Sequence, residues 1–311
     1  MSRLSVVIPL LNEEDIVSEL IKRVCSSVEL ITKEYEVILV DDGSTDSTWE
    51  KIKDYSLSNN KIKGIKFSKN FGHHYAITAG LHNSDGEWVV VMDGDLQDRP
   101  EVIPDLYNEA QKGFDVVFVS RNKRPESFIY KLLQKTFYLI LRKLSGIDFD
   151  SRQANFSILS RKVVDAYKKF PENSRFYGST IKWLGFNRSF VEAEHGKRFG
   201  GKPSYTIKKR LNLAFDIILA FSDRPLKFAI GLGMILSIFS FAIFSWIIIG
   251  YLNWGFTVIG WPSLMASIFF TGGAILVILG VVGIYLGRVF NEVKSRPLYV
   301  AEDQTNIRKI V

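Results

Sequence analysis

The sequence predicts an α/β fold: a mostly parallel sheet with helices on both faces, followed by a pair of membrane-crossing helices. Three observations lead there. Short β-branched runs alternate with helix-like segments from Leu4 to Ser120. Acidic and polar stretches recur just past the ends of those runs, and two long uncharged stretches occupy the last third of the chain.

The runs are "LSVVIPL" (Leu4 to Leu10), "YEVILVDD" (Tyr35 to Asp42), "KIKGIKFS" (Lys61 to Ser68), "EWVVVMD" (Glu87 to Asp93) and "FDVVFVS" (Phe114 to Ser120). Their length and composition predict buried strands. Between several of them the apolar spacing turns helical, as in Asp15 to Leu30 and Glu101 to Lys112. Strand and helix alternating in this way predict a parallel sheet covered by helices. Ligands of such sheets bind at the carboxyl ends of the strands. "PLLNEE", "DDGSTD" and "DGDLQD" follow the first, second and fourth runs, so they are expected to converge on one crevice.

Beyond Arg121 the pattern changes. Ile129, Leu133, Phe137, Ile140 and Leu144 form one helical stripe, opposite Lys131, Lys135 and Arg142. This predicts an amphipathic helix over about 128–145, lying in the membrane interface or packed on the domain surface. A second stripe, Ile207, Leu211, Ala214, Ile218 and Phe221, runs directly into the uncharged region and is read as interfacial.

Phe228 to Leu252 and Leu264 to Gly287 contain no charged residue. Each exceeds the roughly 20 residues that cross a hydrocarbon core. The loop "NWGFTVIGWP" lacks Lys and Arg, whereas Lys208, Lys209, Arg210, Arg224 and Lys227 precede the pair and Arg288, Lys294 and Arg296 follow it. The positive-inside rule then puts both flanks in the cytoplasm and the hairpin in the inner membrane. The expected division is a catalytic domain over 1–205, an interfacial helix over 206–225, a hairpin over 226–290 and a cytoplasmic tail over 291–311. "LSVVIPL" lacks the features of a secretory signal. The lone Cys25 suits a reducing compartment. The net charge of +7 clusters beside the apolar segments, which favours lipid headgroups and argues against nucleic acid as partner.

In Asp93-Gly94-Asp95 the small middle residue lets the backbone turn two carboxylates toward one point, and Gln97 adds a carbonyl oxygen. Hard oxygen ligands of this kind suit Mg²⁺ or Mn²⁺, which keeps waters and bridges to substrate phosphates. A solvated acidic turn is the alternative. In "VDDGSTD", Gly43 permits a tight turn and Asp42 is aimed at a nucleobase or ribose, while Ser44 or Asp46 caps the next helix. His73 and His74 are adjacent and point apart in either regular structure, so they are read as helix-start residues and not as a metal pair. His82 and His195 have no ligand-spaced partner.

"VVIPLLNEE", "VDDGSTD", "KNFGHHYAITAGL" and "VVVMDGDLQDRPE", in that order, resemble the family 2 glycosyltransferases of the Rossmann-like GT-A type fold. Within them the chain is most similar to the polyprenyl-phosphate glycosyltransferases, the dolichol-phosphate mannosyltransferase group and its bacterial bactoprenol-phosphate counterparts. The resemblance runs from about Leu4 to Pro225, and the hairpin resembles that of the bacterial members. It implies a nucleoside-diphosphate sugar donor, uridine in preference to guanosine, a divalent metal, and a membrane polyprenyl phosphate acceptor such as undecaprenyl phosphate. A separate flippase would move the product, and a homo-oligomer is left open. Carried over by position, Pro9, Asn12 and Glu14 border the nucleotide, Asp42 holds its base or ribose, and Asp93, Asp95 and Gln97 surround metal and diphosphate. Arg121, Arg198 and Lys202 would meet the donor or acceptor phosphate, with Arg121, Arg198 and Asp95 carrying catalysis.

Two departures stand out. Asn155 and Ser157 occupy positions where several bacterial relatives have aspartate and arginine, so no base is expected at 155. The segment after Lys202 reads Pro203-Ser204-Tyr205 where a Ser-Lys-Tyr or Ser-Ser-Tyr is usual. Two rival functions remain: a processive polysaccharide synthase, whose Gln-x-x-Arg-Trp motif is not found, and a non-catalytic scaffold that binds sugar nucleotides.

Overall fold

A computed structural model of the chain describes residues 4–121, 153–170, 172, 176–193, 222–254 and 260–307. They belong to two compact units, one sheet-bearing (Met1–Tyr138, Ile147–Thr206 and Pro297–Val311) and one helical (Leu139–Gly146 and Ile207–Arg296).

In the sheet-bearing unit the elements run β1 (Leu4–Leu10), α1 (Val17–Glu29), β2 (Tyr35–Asp41), α2 (Thr48–Ser58), β3 (Ile62–Phe67), α3 (His73–His82), β4 (Trp88–Val91), α4 (Ile103–Ala110) and β5 (Val116–Arg121). After the undescribed stretch come β6 (Gln153–Ser160), α5 (Arg161–Lys168), α6 (Tyr177–Trp183) and β7 (Arg188–Ala193). All five expected strands form. Every residue of β1 and β2 is buried, which is why they read as continuous apolar runs without alternation. In α1, Val17, Leu20, Ile21, Val24 and Val28 make the buried stripe that seats the helix on the sheet.

With β8 (Ala301–Thr305) near the end of the chain, the sheet has strand order β7-β5-β6-β4-β1-β2-β3-β8. Strands β4, β1, β2 and β3 are mutually parallel, as expected. β6 is a difference: it wedges between β4 and β5, antiparallel to both. The sheet is therefore mixed, and β5 does not pair with β4 although it is the next strand in sequence. One core cluster gathers Leu4, Val6, Ile8 and Leu10 with α1, α2 and α4, and the other gathers Val7, Ile38 and Val40 with α3, α5 and α6. Helices thus cover both faces.

This order has a consequence for ligands. β2 lies on one side of β1 and β4 on the other, so the chain switches direction across β1, and the carboxyl ends of β1 and β4 mark the switch point at which ligands of such sheets bind. Pro9 fits the switch point. The β4 ladder ends at the Val7 to Val91 rung, so the side on which Pro9 lacks its N–H is the one β4 has already left.

The segment expected as a tail, 291–311, contributes a strand to the sheet. Ala301–Thr305 form β8, an edge strand antiparallel to β3. Its inward positions are Ala301, Asp303 and Thr305, too short and polar a pattern to be recognised as a strand. Trp49 Nε1–H donates to Asp303 Oδ2 at 3.3 Å, Asn306 Nδ2 donates to Ile62 O at 2.9 Å, and Ser68 N–H donates to Val300 O at 3.0 Å. The Tyr299 ring stacks on Phe67 with centroids 5.0 Å apart. Such a pair contributes about 1 kcal/mol beyond its buried area. Tyr299→Ala is therefore expected to speed amide exchange in residues 62–72 while leaving β1 and β2 protected, as read by hydrogen-exchange mass spectrometry.

The helical unit contains α7 (Arg224–Trp254) and α8 (Trp261–Val293). Both are long and apolar enough to cross a membrane: Leu226–Ile243 is 6% buried and Phe270–Val293 is 0% buried. Core helices of a soluble protein would be covered. The hydroxyls of Ser245, Ser267 and Thr271 donate to carbonyls one turn back, which satisfies them within their own helix. The helices expected at 128–145 and 206–225 lie outside the described residues, apart from Ser222 to Pro225.

Candidate active site

Three turns meet at the carboxyl ends of β1, β2 and β4. The β1–α1 and β2–α2 turns are sewn together by their own polar groups. Asn12, held at φ 54°, accepts the Thr45 N–H on Oδ1 at 2.9 Å, and its backbone N–H donates to Ser44 Oγ at 2.9 Å. Glu14 accepts the Ser47 N–H on Oε2 at 2.9 Å, and its own N–H donates to Asp46 Oδ2 at 3.2 Å. Two of the three residues expected to border a nucleotide, Asn12 and Glu14, thus join the two turns into one ledge.

Asp42 is buried, and its carboxylate accepts the Phe71 N–H at 2.8 Å and the Gly72 N–H at 3.0 and 3.1 Å. Burial pushes its carboxyl pKa up, opposed by those two N–H groups and by His73. Asp42 therefore anchors the loop that opens α3. Gly43, at φ 75°, brings the turn against that same loop: a Cβ there would lie 2.5 Å from the Lys69 carbonyl carbon and 2.7 Å from the Asn70 nitrogen. Asp41, fully buried beside it, accepts the Ser44 N–H at 2.9 Å.

The third turn carries the acidic pair. A Cβ on Gly94 would lie 2.3 Å from Leu10 Cδ2 and 3.1 Å from Pro9 O, so the turn crosses closely over the end of β1 and a larger residue would have to displace the Leu10 side chain. Leu96 is buried yet holds φ 57°, a left-handed conformation that costs a branched side chain roughly 1 kcal/mol. The buried Leu96 pins the turn, and Asp95 and Gln97 flank it, with the Gln97 N–H donating to Asp95 Oδ1 at 3.1 Å.

His73 Nε2 lies 3.2 Å from Asp93 Oδ1 and 3.3 Å from Asn155 Nδ2. Burial opposes a charged His73 ring, but the bond to Asp93 and the fields of Asp93, Asp42 and Asp95 outweigh it, and the His73 pKa rises. His74 behaves oppositely: burial, helped by His73, lowers its pKa to about 4. Among the described residues no cluster of three or more His, Cys, Asp and Glu gathers as a metal site. The oxygen donors of Asp93, Asp95 and Gln97 fit Mg²⁺ or Mn²⁺ completed by water and substrate phosphate, and do not suit a metal held by protein alone.

The sequence profile described as Glycosyl transferase family 2 matches residues 5–168, the stretch that carries all three turns. The chain belongs to this family. The family 2 glycosyltransferase is 39% identical to an uncharacterized glycosyltransferase of Synechocystis sp., over 96% of this chain and 95% of that relative. It is 36% identical to the bactoprenol glucosyl transferase of Shigella phage SfII, over 96% and 97% respectively. Among solved structures, a mannosyltransferase from Pyrobaculum calidifontis in complex with GDP-Man and Mn²⁺ aligns with a TM-score of 0.49 at 17% identity, covering 70% of this chain and 63% of that one.

Of the expected site residues in this glycosyltransferase, Pro9, Asn12, Glu14, Asp42, Asp93, Asp95 and Gln97 all lie at the converging strand ends. Arg121 is the last residue of β5, in register with Ala193. Arg198 and Lys202 lie outside the described residues. What the sequence reading missed is His73. It reads as a helix start, which it occupies, but its contact with Asp93 joins residues brought together only when α3 packs on β1 and β2, beside the end of β4. The departures at 155 and 157 also acquire a structure: Ser157 Oγ–H donates to Asn155 O at 2.8 Å and lies 2.6 Å from the buried Tyr177 hydroxyl.

Proposed function

We propose that this glycosyltransferase moves a sugar from a nucleoside-diphosphate sugar, a UDP-sugar for preference, to a polyprenyl phosphate at the cytoplasmic face of the inner membrane. The observation that carries the reading is the acidic turn of Asp93, Asp95 and Gln97 at the β1–β4 switch point, in a chain that also has two uncovered apolar helices. Full-length similarity to proteins named bactoprenol glucosyl transferase supports the choice of acceptor.

In this reading Asp42 and the Asn12 to Glu14 ledge receive the nucleoside end of the donor. Asp93, Asp95 and Gln97 would hold Mg²⁺ or Mn²⁺, which would offset the charge of the departing diphosphate. An acceptor phosphate oxygen attacks the anomeric carbon in line as the carbon–oxygen bond to the diphosphate breaks, so configuration inverts and a nucleoside diphosphate leaves. A phosphate monoester has a second pKa of about 6 and is largely dianionic at pH 7. It needs orientation more than a base, which agrees with Asn at 155. Arg121, Arg198 and Lys202 are proposed to offset repulsion between the two anionic substrates.

The hairpin would keep the site beside an acceptor that stays in the bilayer. Residues on both sides of it belong to the same sheet-bearing unit, a connectivity that two crossings satisfy and one does not. The test is an incubation of the purified full chain with Mn²⁺ or Mg²⁺, a panel of radiolabelled UDP- and GDP-sugars, and undecaprenyl phosphate. Label should enter the organic phase, fall to background in EDTA and return with excess Mn²⁺. Undiminished transfer in chelator rejects the metal assignment, and nucleotide binding without any lipid label supports a scaffold instead.

A further inference from the structure

The contact between His73 and Asp93 extends into a chain of contacts that reaches the core. Tyr177 is fully buried, and burial raises its pKa, so it keeps its proton and remains a donor. Ser157, also fully buried, gives its single hydroxyl proton to the Asn155 carbonyl and accepts from Tyr177. Asn155 is thereby held at the point where its side-chain amide meets the His73 ring, 3.3 Å from Nε2. A nitrogen that bears a proton accepts nothing, so this contact is attractive when the amide oxygen faces it. From the other side, the Asp42 carboxylate grips the Phe71 and Gly72 amides immediately before His73. The His74 ring packs edge-on against both His73 and Phe176, each at 5.6 Å.

We propose that His73 is a positioning residue for Asp93: its Nε2, 3.2 Å from Asp93 Oδ1, keeps that carboxylate oxygen in place, and Asn155, fixed through Ser157 and Tyr177, borders the same ring nitrogen. The proposal rests on the reading of Asp93 as a cation ligand. The bond does not depend on a charged ring, because Nε2 carries a proton in imidazolium and in one neutral tautomer. Its purpose is orientational. A ligating carboxylate left free to rotate loses entropy on capturing a cation, whereas one already held by a neighbouring donor does not. Removal of such a supporting partner typically lowers metal affinity by about 10–100-fold. Asn155, at a position where a base is absent, acquires a function as the outer support of this pair.

The test measures Mn²⁺ binding directly, by the electron paramagnetic resonance signal of free Mn²⁺, on the purified full chain with UDP present. Asp93→Ala, His73→Ala, His73→Gln and Asn155→Ala are compared with the wild type, and thermal unfolding of each is recorded. His73→Ala is expected to weaken Mn²⁺ binding about 10–100-fold. Glutamine can place an amide N–H near the imidazole Nε2 position, so His73→Gln is expected to recover most of that loss, and Asn155→Ala to show a smaller one. Wild-type Mn²⁺ affinity in His73→Ala, or equal losses in the alanine and glutamine variants, overturns the proposal. Wild-type affinity in Asp93→Ala overturns the cation reading beneath it, so the two failures are distinguishable.

Discussion

Asp95→Ala is expected to lower sugar transfer by about three orders of magnitude while leaving the fold almost untouched. A cation that neutralises a leaving diphosphate contributes several kcal/mol to the transition state, and about 4 kcal/mol corresponds to about 10³ in rate. The stability cost is small for a local reason. The turn is pinned by buried Leu96 and by the packing of Gly94 against Leu10 and Pro9, neither of which involves the Asp95 carboxylate. The hydrogen bond from the Gln97 N–H, worth roughly 1 kcal/mol, is lost with the carboxylate. Lipid-phase label and thermal unfolding, measured on the same preparation, should therefore diverge. Full activity in this variant removes Asp95 from the cation site.

Gly43→Ala is expected to damage fold and donor binding together. The position sits at φ 75°, and the new Cβ would press on backbone atoms of Lys69 and Asn70 at 2.5 to 2.9 Å, which no rotamer change relieves. Separating the turn from that loop also pulls Asp42 from the amides of Phe71 and Gly72. The strain and overpacking together cost about 2–4 kcal/mol. The KM for the sugar nucleotide should rise about tenfold or more. Gly113→Ala is the matched control: its φ is 101°, but nothing lies within 4 Å of the added Cβ. It carries the conformational cost alone, about 1 kcal/mol, and should leave the KM unchanged. Equal effects in the two variants would show that backbone strain, not the approach of Lys69 and Asn70, governs Gly43.

Legibility differed from element to element. The central strands were readable because burial on both faces demands unbroken apolar runs, as in Val37 to Val40 and Val89 to Val91. The hairpin was readable because lipid tolerates no charge over a full crossing. β6 escaped notice because Gln153 to Ser160 mixes polar and apolar residues, and its neighbours are chosen by topology. β8 escaped because a five-residue edge strand needs only Ala301, Asp303 and Thr305 on its inner side.

The sequence by itself determined the strand and helix alternation, the acidic turn after β4, the paired apolar helices and the family. These follow from local rules, since periodicity, turn glycines and uncharged length act within a few residues of each other. Tertiary structure alone decided that Asp42 grips the loop before α3, that His73 meets Asp93, and that the segment after α8 closes the edge of β3. Each joins groups distant along the chain, and a hydrogen bond forms only where folding brings donor and acceptor within about 3 Å.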